Sequence, residues 1–119
     1  WAKGALEKAQ PINVVNDQFR SPTLAEDLAK GCQLIENKQA EGIFNISGKD
    51  QMSILEIVER VADYFELDKS IINVISSKSL NQAAVRPSIT GFDLSKSSRV
   101  LGYTPHSFEE GIGVLMGQL

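Results

Sequence analysis

Residues 53–75, SILEIVERVADYFELDKSIINVI, decide the fold class of this chain. Ser53 and Glu56 have the spacing of a capping box, in which each side chain accepts a hydrogen bond from the other residue's backbone N–H. Apolar residues then recur at the three- and four-residue intervals of an amphipathic helix as far as Phe65. Residues 71–75 follow as a short run rich in isoleucine and valine, which predicts a strand.

Another helix, a strand and a further helix are predicted before this stretch. Residues 1–9 carry helix formers and stop before Pro11, and the apolar residues of 12–15 then predict a strand. Thr23 and Glu26 also have the capping-box spacing, so a helix should begin there. The apolar face of that helix is predicted to carry Leu24, Ala25, Leu28, Ala29, Cys32 and Ile35.

The remaining segments contain one more strand and two short helices. Residues 42–48, GIFNISG, form an apolar run between glycines whose β-branched and aromatic bias predicts a strand. Residues 76–90 are polar and irregular, which makes this loop a candidate working surface. A short helix should end at Gly102, and the capping box of Ser107 and Glu110 should open the last helix.

The order of these elements predicts an α/β fold in which a few short strands are covered by helices. Helices with such apolar faces would pack best against a larger sheet than three short strands can form. Exposed apolar surface and self-association are therefore expected.

The composition limits the class of protein. The 119 residues, 42% of them apolar, suffice for one small domain but are few for an enzyme with separate cofactor and substrate halves. The formal charge of -3 offers no basic field to nucleic acid or to an anionic membrane. The single cysteine, Cys32, fits a reducing, cytoplasmic compartment. The start at Trp1 resembles no natural initiation site, so we expect a piece of a longer protein.

The sequence contains no recognisable set of catalytic, metal-binding or dinucleotide-binding residues. His106 is the only histidine, and its place just before the cap Ser107 predicts a turn residue rather than a Ser-His-Asp arrangement. One histidine and Cys32 cannot assemble a recognised metal site. Gly111-x-Gly113 follows a helix cap rather than a strand, so it does not predict a dinucleotide-binding loop.

Two arginines stand out because they lie in irregular sequence close to prolines. These are Arg20, two residues before Pro22, and Arg86, next to Pro87. A planar guanidinium makes bidentate hydrogen bonds to phosphate, so two converging arginines could hold a diphosphate without a basic overall charge. Loop arginines are also commonly solvated or paired with a surface carboxylate, and the residues alone leave both alternatives open.

Three segments together carry a family likeness. Residues 17–23, DQFRSPT, contain an Asp-Gln-x-x-x-Pro-Thr pattern, and residues 26–29, EDLA, follow it. Residues 42–48 form the second segment, and the third comprises Arg86-Pro87, residues 93–96 (DLSK) and residues 101–112 (LGYTPHSFEEGI). In this order the segments resemble the extended short-chain dehydrogenase/reductases and, within them, the dTDP-4-dehydrorhamnose reductases.

The resemblance implies a longer parent that binds NADP(H) or NAD(H) in an N-terminal Rossmann half and reduces a 4-keto sugar on a nucleotide. Residues 1–119 would be its C-terminal substrate-binding segment, with the Rossmann half absent. The family's Tyr-x-x-x-Lys pair has no counterpart, because the fourth residue after Tyr64 is Asp68 and the fourth residue after Tyr103 is Ser107. The chain alone is therefore expected to bind no cofactor and to be inactive.

Four substrate-side positions are carried over from the resemblance. Arginines at the positions of Arg20 and Arg86 contact the substrate diphosphate in related sugar-nucleotide enzymes. Asp17 and Gln18 fall in a segment near the substrate pocket, although an aspartate at a strand end is as often a turn former.

Other interpretations stay open at this point. The chain could belong to another sugar-nucleotide epimerase or dehydratase of the same superfamily. It could also belong to a non-catalytic relative such as the regulatory subunit of methionine adenosyltransferase, which would use the same surface to bind a partner protein. A free-standing interaction domain on this scaffold is the third alternative.

Overall fold

The computed structural model describes residues 1–119 and divides into two compact units. Unit 1 comprises Trp1–Arg20 and Met52–Thr90, and unit 2 comprises Ser21–Gln51 and Gly91–Leu119. In chain order the elements are α1 (Ala2–Glu7), β1 (Ile12–Val15), β2 (Phe19–Arg20), α2 (Ala25–Asn37), β3 (Met52–Ser53), α3 (Ile54–Tyr64), β4 (Ile72–Ile75), a 3-10 helix (Ser77–Leu80), α4 (Ser95–Leu101) and α5 (Phe108–Gln118).

Unit 1 is built on the parallel pair of β1 and β4, in which Val14 lies opposite Val74. Helices α1 and α3 pack on β1, and both hydrogen bonds of the Ser53–Glu56 capping box are present at the start of α3. The predicted strands at 12–15 and 71–75 and the predicted helix from Ser53 are therefore confirmed. The buried core of this unit consists of Leu6, Ile12, Val14, Val58 and Ala62.

A second, antiparallel pair in unit 1 joins β2 to β3, with Phe19 opposite Ser53. Phe19 also forms a parallel bridge to Ile89, because its N–H donates to Ser88 O and its carbonyl accepts from Thr90 N. Each of these strands has two residues, which is too short for a periodicity to show in the sequence. Their effect is to fix the end of the 76–90 loop beside β2.

In unit 2, the predicted strand at 42–48 is wrong, because no ladder forms there. Side chains bind its alternate carbonyl oxygens instead: Ile43 O accepts from Lys96 Nζ at 2.8 Å, Asn45 O from Ser97 Oγ at 2.5 Å and Ser47 O from Tyr103 Oη at 2.9 Å. The segment thus keeps the two-residue period of a strand. It lacks a ladder because no neighbouring strand of the chain pairs with it.

The predicted capping box of Thr23 and Glu26 is also wrong. Helix α2 begins at Ala25, and its N-cap residue Leu24 makes no side-chain cap. Thr23 Oγ1 instead accepts a hydrogen bond from Gly48 N at 2.9 Å and donates to Ser21 O at 3.1 Å. A hydroxyl occupied by a residue distant in sequence is not available to the first turn of the helix.

The predicted apolar face of α2 is only partly the buried one. Asp27 and Gly31 are buried, whereas Leu28 and Cys32 are exposed. A Cβ on Gly31 would lie 2.7 Å from Cγ2 of Ile46, so the absence of a side chain lets Ile46 approach the helix. Apolar periodicity does not detect contacts that a glycine and an aspartate make.

The last two helices agree with the sequence. Gly102 ends α4 in the left-handed conformation, with φ 67°, and both capping-box hydrogen bonds of Ser107 and Glu110 open α5. The expected exposed apolar side chains are present, among them Ile43 at 84% and Leu119 at 91% exposure. Self-association through them stays a prediction. None of the helices combines the length and the apolar character needed to cross a membrane.

Candidate functional site

A cavity of about 230 Å³ lies in unit 1. Its lining contains two cationic side chains and no carboxylate, and most of its other groups are amides and hydroxyls. These features favour an anionic ligand with hydrogen-bonding oxygens. The lining residues are Gln18, Ser77, Lys78, Asn81, Gln82, Ala84, Val85 and Arg86.

Two of the four predicted site residues, Gln18 and Arg86, line this cavity. Gln18 is 9% exposed, and its carbonyl oxygen accepts from Ile54 N at 3.0 Å, so its position is fixed by the start of α3. Arg86 Nε donates to Gln82 Oε1 at 3.1 Å. That bond orients the guanidinium and leaves its two terminal nitrogens for a ligand.

Arg20 lies next to the cavity lining but is not part of it. Its Nη2 donates to Gln18 Oε1 at 3.3 Å, and its Nη1 donates to Phe19 O at 2.6 Å and to Ser88 O at 3.5 Å. The hydrogen bond from Arg20 therefore helps to fix the position of the Gln18 side-chain amide. Gln18 thus shares the cavity lining with Arg86 and accepts a hydrogen bond from Arg20.

Asp17 is also outside the lining and fastens the loop. Its carboxylate accepts hydrogen bonds from Ser76 Oγ at 3.0 Å, Ser77 Oγ at 2.9 Å and Ser77 N at 3.1 Å. Burial opposes ionisation, but the hydrogen bonds from Ser77 and Ser76 outweigh it and lower the pKa of Asp17. Asp17 thus joins the end of β1 to the start of the 76–90 segment by hydrogen bonds across about 60 residues of sequence.

Lys78, the second cation of the cavity, was not predicted from the sequence as a site residue. Lys78 belongs to the polar 76–90 segment, where one lysine among serines has the pattern of any solvated loop. The available signal was its distance of eight residues from Arg86 within the predicted working surface. Only the fold of the loop shows that both side chains line one cavity.

Unit 2 contains a smaller pocket of about 160 Å³ with mainly apolar walls. At its edge, His106 Nδ1 lies 2.7 Å from Asp27 Oδ1, and His106 N donates to Asp27 Oδ2 at 3.0 Å. The pocket is lined by Pro22, Thr23, Leu24, Asp27, Asp50, His106, Ser107, Phe108, Gly111, Ile112 and Leu115.

The Asp27–His106 pair has no nucleophile beside it. Ser107 Oγ accepts from Glu110 N as the cap of α5 and makes no hydrogen bond to the imidazole. The pair therefore joins the segment before α5 to the buried side of α2. His106 lies in a segment without regular secondary structure just before the N-cap of α5, and its partner was missed because 79 residues separate the two in sequence.

Tyr103 supports a prediction about pH. Its side chain is 2% exposed, and burial, together with the charge of Asp27, raises the pKa of Tyr103 from 10.0 to about 12. A group whose pKa is raised by folding contributes stability that is complete below its unfolded pKa and is lost as the pH rises through its folded pKa. We expect the free energy of unfolding to fall between pH 10 and 12, by on the order of 2 kcal/mol.

Urea unfolding followed by circular dichroism across this pH range would measure the loss. The Tyr103→Phe variant should be less stable near neutral pH, because the hydrogen bond to Ser47 is gone, and its stability should change less above pH 10. Tyr64→Phe is the matched control, because Tyr64 is 43% exposed. An unchanged alkaline decline in Tyr103→Phe would contradict the assignment.

The residues present do not fit a dinucleotide cofactor. Gly111 and Gly113 lie inside α5, whereas a dinucleotide loop joins the end of a strand to the start of a helix. The Tyr103 hydroxyl is buried against Ser47 O and is not available as a proton donor. No group of three or more His, Cys, Asp or Glu side chains is placed to hold a metal ion.

Comparisons with known proteins agree on the fold. The family described as the RmlD substrate binding domain matches residues 3–119. The dTDP-4-dehydrorhamnose reductase of Bacillus anthracis str. Ames, solved in complex with NADP, superposes with a TM-score of 0.85 at 23% identity, covering 99% of this chain and 42% of that one. The dTDP-4-dehydrorhamnose reductase of Clostridium acetobutylicum gives 0.86 at 17% identity with the same coverage.

A curated relative is similar to most of the chain. Methionine adenosyltransferase 2 subunit beta of Danio rerio is 27% identical in an alignment of 95 residues, which covers 76% of this chain and 29% of that protein. The chain thus spans less than half the length of each of these three proteins. The structural matches confirm the predicted α/β fold.

Proposed function

Because the chain belongs to the RmlD substrate binding domain family, we propose that residues 1–119 form the C-terminal nucleotide-sugar-binding portion of an NADP(H)-dependent oxidoreductase similar to dTDP-4-dehydrorhamnose reductase. The cofactor and the catalytic residues belong to an N-terminal Rossmann half of the parent. The isolated chain is inactive. The lone cysteine supports a cytoplasmic location for the parent.

The observation that carries this proposal is the cavity of unit 1. It brings Gln18 and Arg86 into one lining, with Arg20 hydrogen-bonded to Gln18. The sequence predicts these residues because they resemble substrate-side positions of related sugar-nucleotide enzymes. Arg86 offers its two terminal nitrogens to a phosphate, a planar arrangement that suits bidentate binding.

The 42–48 segment supports the proposed N-terminal half. Its odd-numbered carbonyls accept side-chain hydrogen bonds from Lys96, Ser97 and Tyr103. Since successive residues of a strand point their backbone groups to opposite edges, residues 44 and 46 form the other edge, and none of their backbone groups is paired. We propose that a strand of the Rossmann half pairs there.

The proposal predicts a specific defect in the parent enzyme. The longer protein read from the upstream frame should oxidise NADPH with a dTDP-4-keto sugar as substrate. Arg86→Gln should raise KM for the sugar nucleotide roughly 10- to 100-fold, because a charge-assisted hydrogen bond to phosphate is lost, while leaving NADPH affinity unchanged. Steady-state kinetics and an NADPH titration would measure both.

Arg99→Gln is the matched control, because Arg99 is an exposed arginine of α4 that does not line the cavity. A parent that binds NADPH but leaves the sugar unreduced would refute the reductase assignment. Equal loss of both affinities in Arg86→Gln would indicate damage to the fold instead of loss of a phosphate contact.

A second candidate function is favoured by the relative from Danio rerio. The chain could belong to a regulatory subunit that binds a methionine adenosyltransferase. The two functions differ in the upstream sequence, because an enzyme needs a glycine loop and a Tyr-x-x-x-Lys pair. A parent that lacks these motifs and co-purifies with a methionine adenosyltransferase would support the regulatory function.

A further inference from the structure

Lys78 is the second cation of the unit 1 cavity, and its hydrogen bond to Ser76 is made by the backbone N–H and not by the ammonium group. We infer that Lys78 is a further phosphate-binding residue and that Lys78 and Arg86 together hold the diphosphate of a nucleotide. This inference rests on the proposed function. It adds a residue that the family likeness does not supply.

The backbone of Lys78 is fixed on both sides. Its N–H donates to Ser76 Oγ at 3.4 Å, and Ser76 and Ser77 are both fastened to the carboxylate of Asp17. After the 3-10 helix Ser77–Leu80, Asn81 adopts the left-handed conformation with φ 47°. An asparagine tolerates that conformation better than most residues, so it can end the 3-10 helix there. Lys78 is therefore presented from a defined turn.

The charges of the lining match a diphosphate. A diphosphate ester carries a negative charge on each phosphoryl group, and the lining supplies one guanidinium and one ammonium and contains no carboxylate. Arg86 suits bidentate binding, whereas the compact lysine ammonium acts as a point charge. Arg20 is less available for the second phosphate, because both of its terminal nitrogens already donate to protein oxygens.

Asp17 becomes a positioning residue under this inference. Its carboxylate does not line the cavity, and its hydrogen bonds hold Ser76 and Ser77 at the start of the turn that carries Lys78. The residues around the cavity thus divide into cations that line it and groups that hold those cations in place. Ser77 does both, because it bonds Asp17 and lines the cavity.

Isothermal titration calorimetry on the 119-residue chain tests the inference. The ligands are inorganic pyrophosphate, dTDP and thymidine, and the variants are Lys78→Gln, Lys78→Arg, Arg86→Gln and Lys30→Gln. Lys30 is the control, because it is an exposed lysine of α2 outside the cavity. We expect Lys78→Gln to weaken dTDP and pyrophosphate binding about tenfold, Lys78→Arg to restore most of it, and thymidine to bind far more weakly than dTDP.

The outcomes separate this inference from the proposed function. If Arg86→Gln weakens dTDP binding and Lys78→Gln does not, Lys78 is not a phosphate ligand, while the proposed function stands. If the unaltered chain binds neither dTDP nor pyrophosphate, the proposed nucleotide-sugar site fails and the inference fails with it. If Lys30→Gln weakens binding as much as Lys78→Gln, the attraction is a general surface effect, and the inference is overturned. Circular dichroism of each variant shows whether it is folded.

Discussion

Gly48→Ala should strongly destabilise unit 2. A Cβ at this position would lie 1.9 Å from Pro22 O and 3.0 Å from Pro22 C. Both atoms are backbone, so the contact cannot be relieved by rotating a side chain. The Gly48 N–H also donates to Thr23 Oγ1, and the same shift would break that bond. We expect a loss of about 3 kcal/mol or more in the free energy of unfolding.

Two other glycines give a graded control series for chemical denaturation. A Cβ on Gly31 would meet the Ile46 side chain at 2.7 Å, which can move, so Gly31→Ala should cost less than Gly48→Ala. Gly4 lies in α1 with nothing within 4 Å of a Cβ, and Gly4→Ala should stabilise the helix by about 0.5 to 1 kcal/mol. Equal denaturation midpoints for Gly48→Ala and the unaltered chain would contradict the packing described for Gly48.

Asp27→Ala should have the second largest effect. Asp27 is 5% exposed and accepts two hydrogen bonds from His106, one from the ring and one from the backbone N–H. Removing the carboxylate leaves that N–H without its partner and releases the segment before α5. Losing a buried carboxylate that holds two donors should cost about 3 kcal/mol. Urea denaturation followed by circular dichroism would measure it.

His106→Ala separates the two hydrogen bonds of Asp27. This variant removes the ring contact and keeps the backbone N–H, so it should cost less than Asp27→Ala. Glu36→Ala is the matched control, because Glu36 is an exposed acidic residue of the same helix. If Asp27→Ala were no more destabilising than Glu36→Ala, the pair would not join the two segments in solution.

The parts of the fold that follow from local sequence were predictable. Helix α3 combines the capping box of Ser53 and Glu56 with a continuous apolar face. The capping box marks where the helix begins, and the apolar face contains the residues that are buried. The strand predicted at residues 42–48 was wrong because the sequence does not show whether a pairing strand is present. Its composition is that of a strand, but a strand exists only when a partner supplies the ladder, and composition does not say whether the partner is in the same chain.

The candidate site also contains residues that local sequence predicts and residues that only the fold reveals. Gln18 and Arg86 were found because they lie in segments with a family likeness, and the fold places both in one lining. Lys78 and the contact between Asp27 and His106 were missed because they depend on parts of the chain that are distant in sequence. The role of Asp17 was left open between substrate contact and turn formation, and its bonds to Ser76 and Ser77 are visible only in three dimensions.

The side chains that bind the carbonyls of residues 43, 45 and 47 also limit how this chain can aggregate. A strand with two open edges can add neighbours on both sides and grow into a fibril. Here Lys96 and Ser97 of α4 and the nearby Tyr103 occupy one edge, and the Lys96 ammonium lies 4.5 Å from the Phe44 ring centre. One edge is left, so strand pairing at this segment ends with a single added strand.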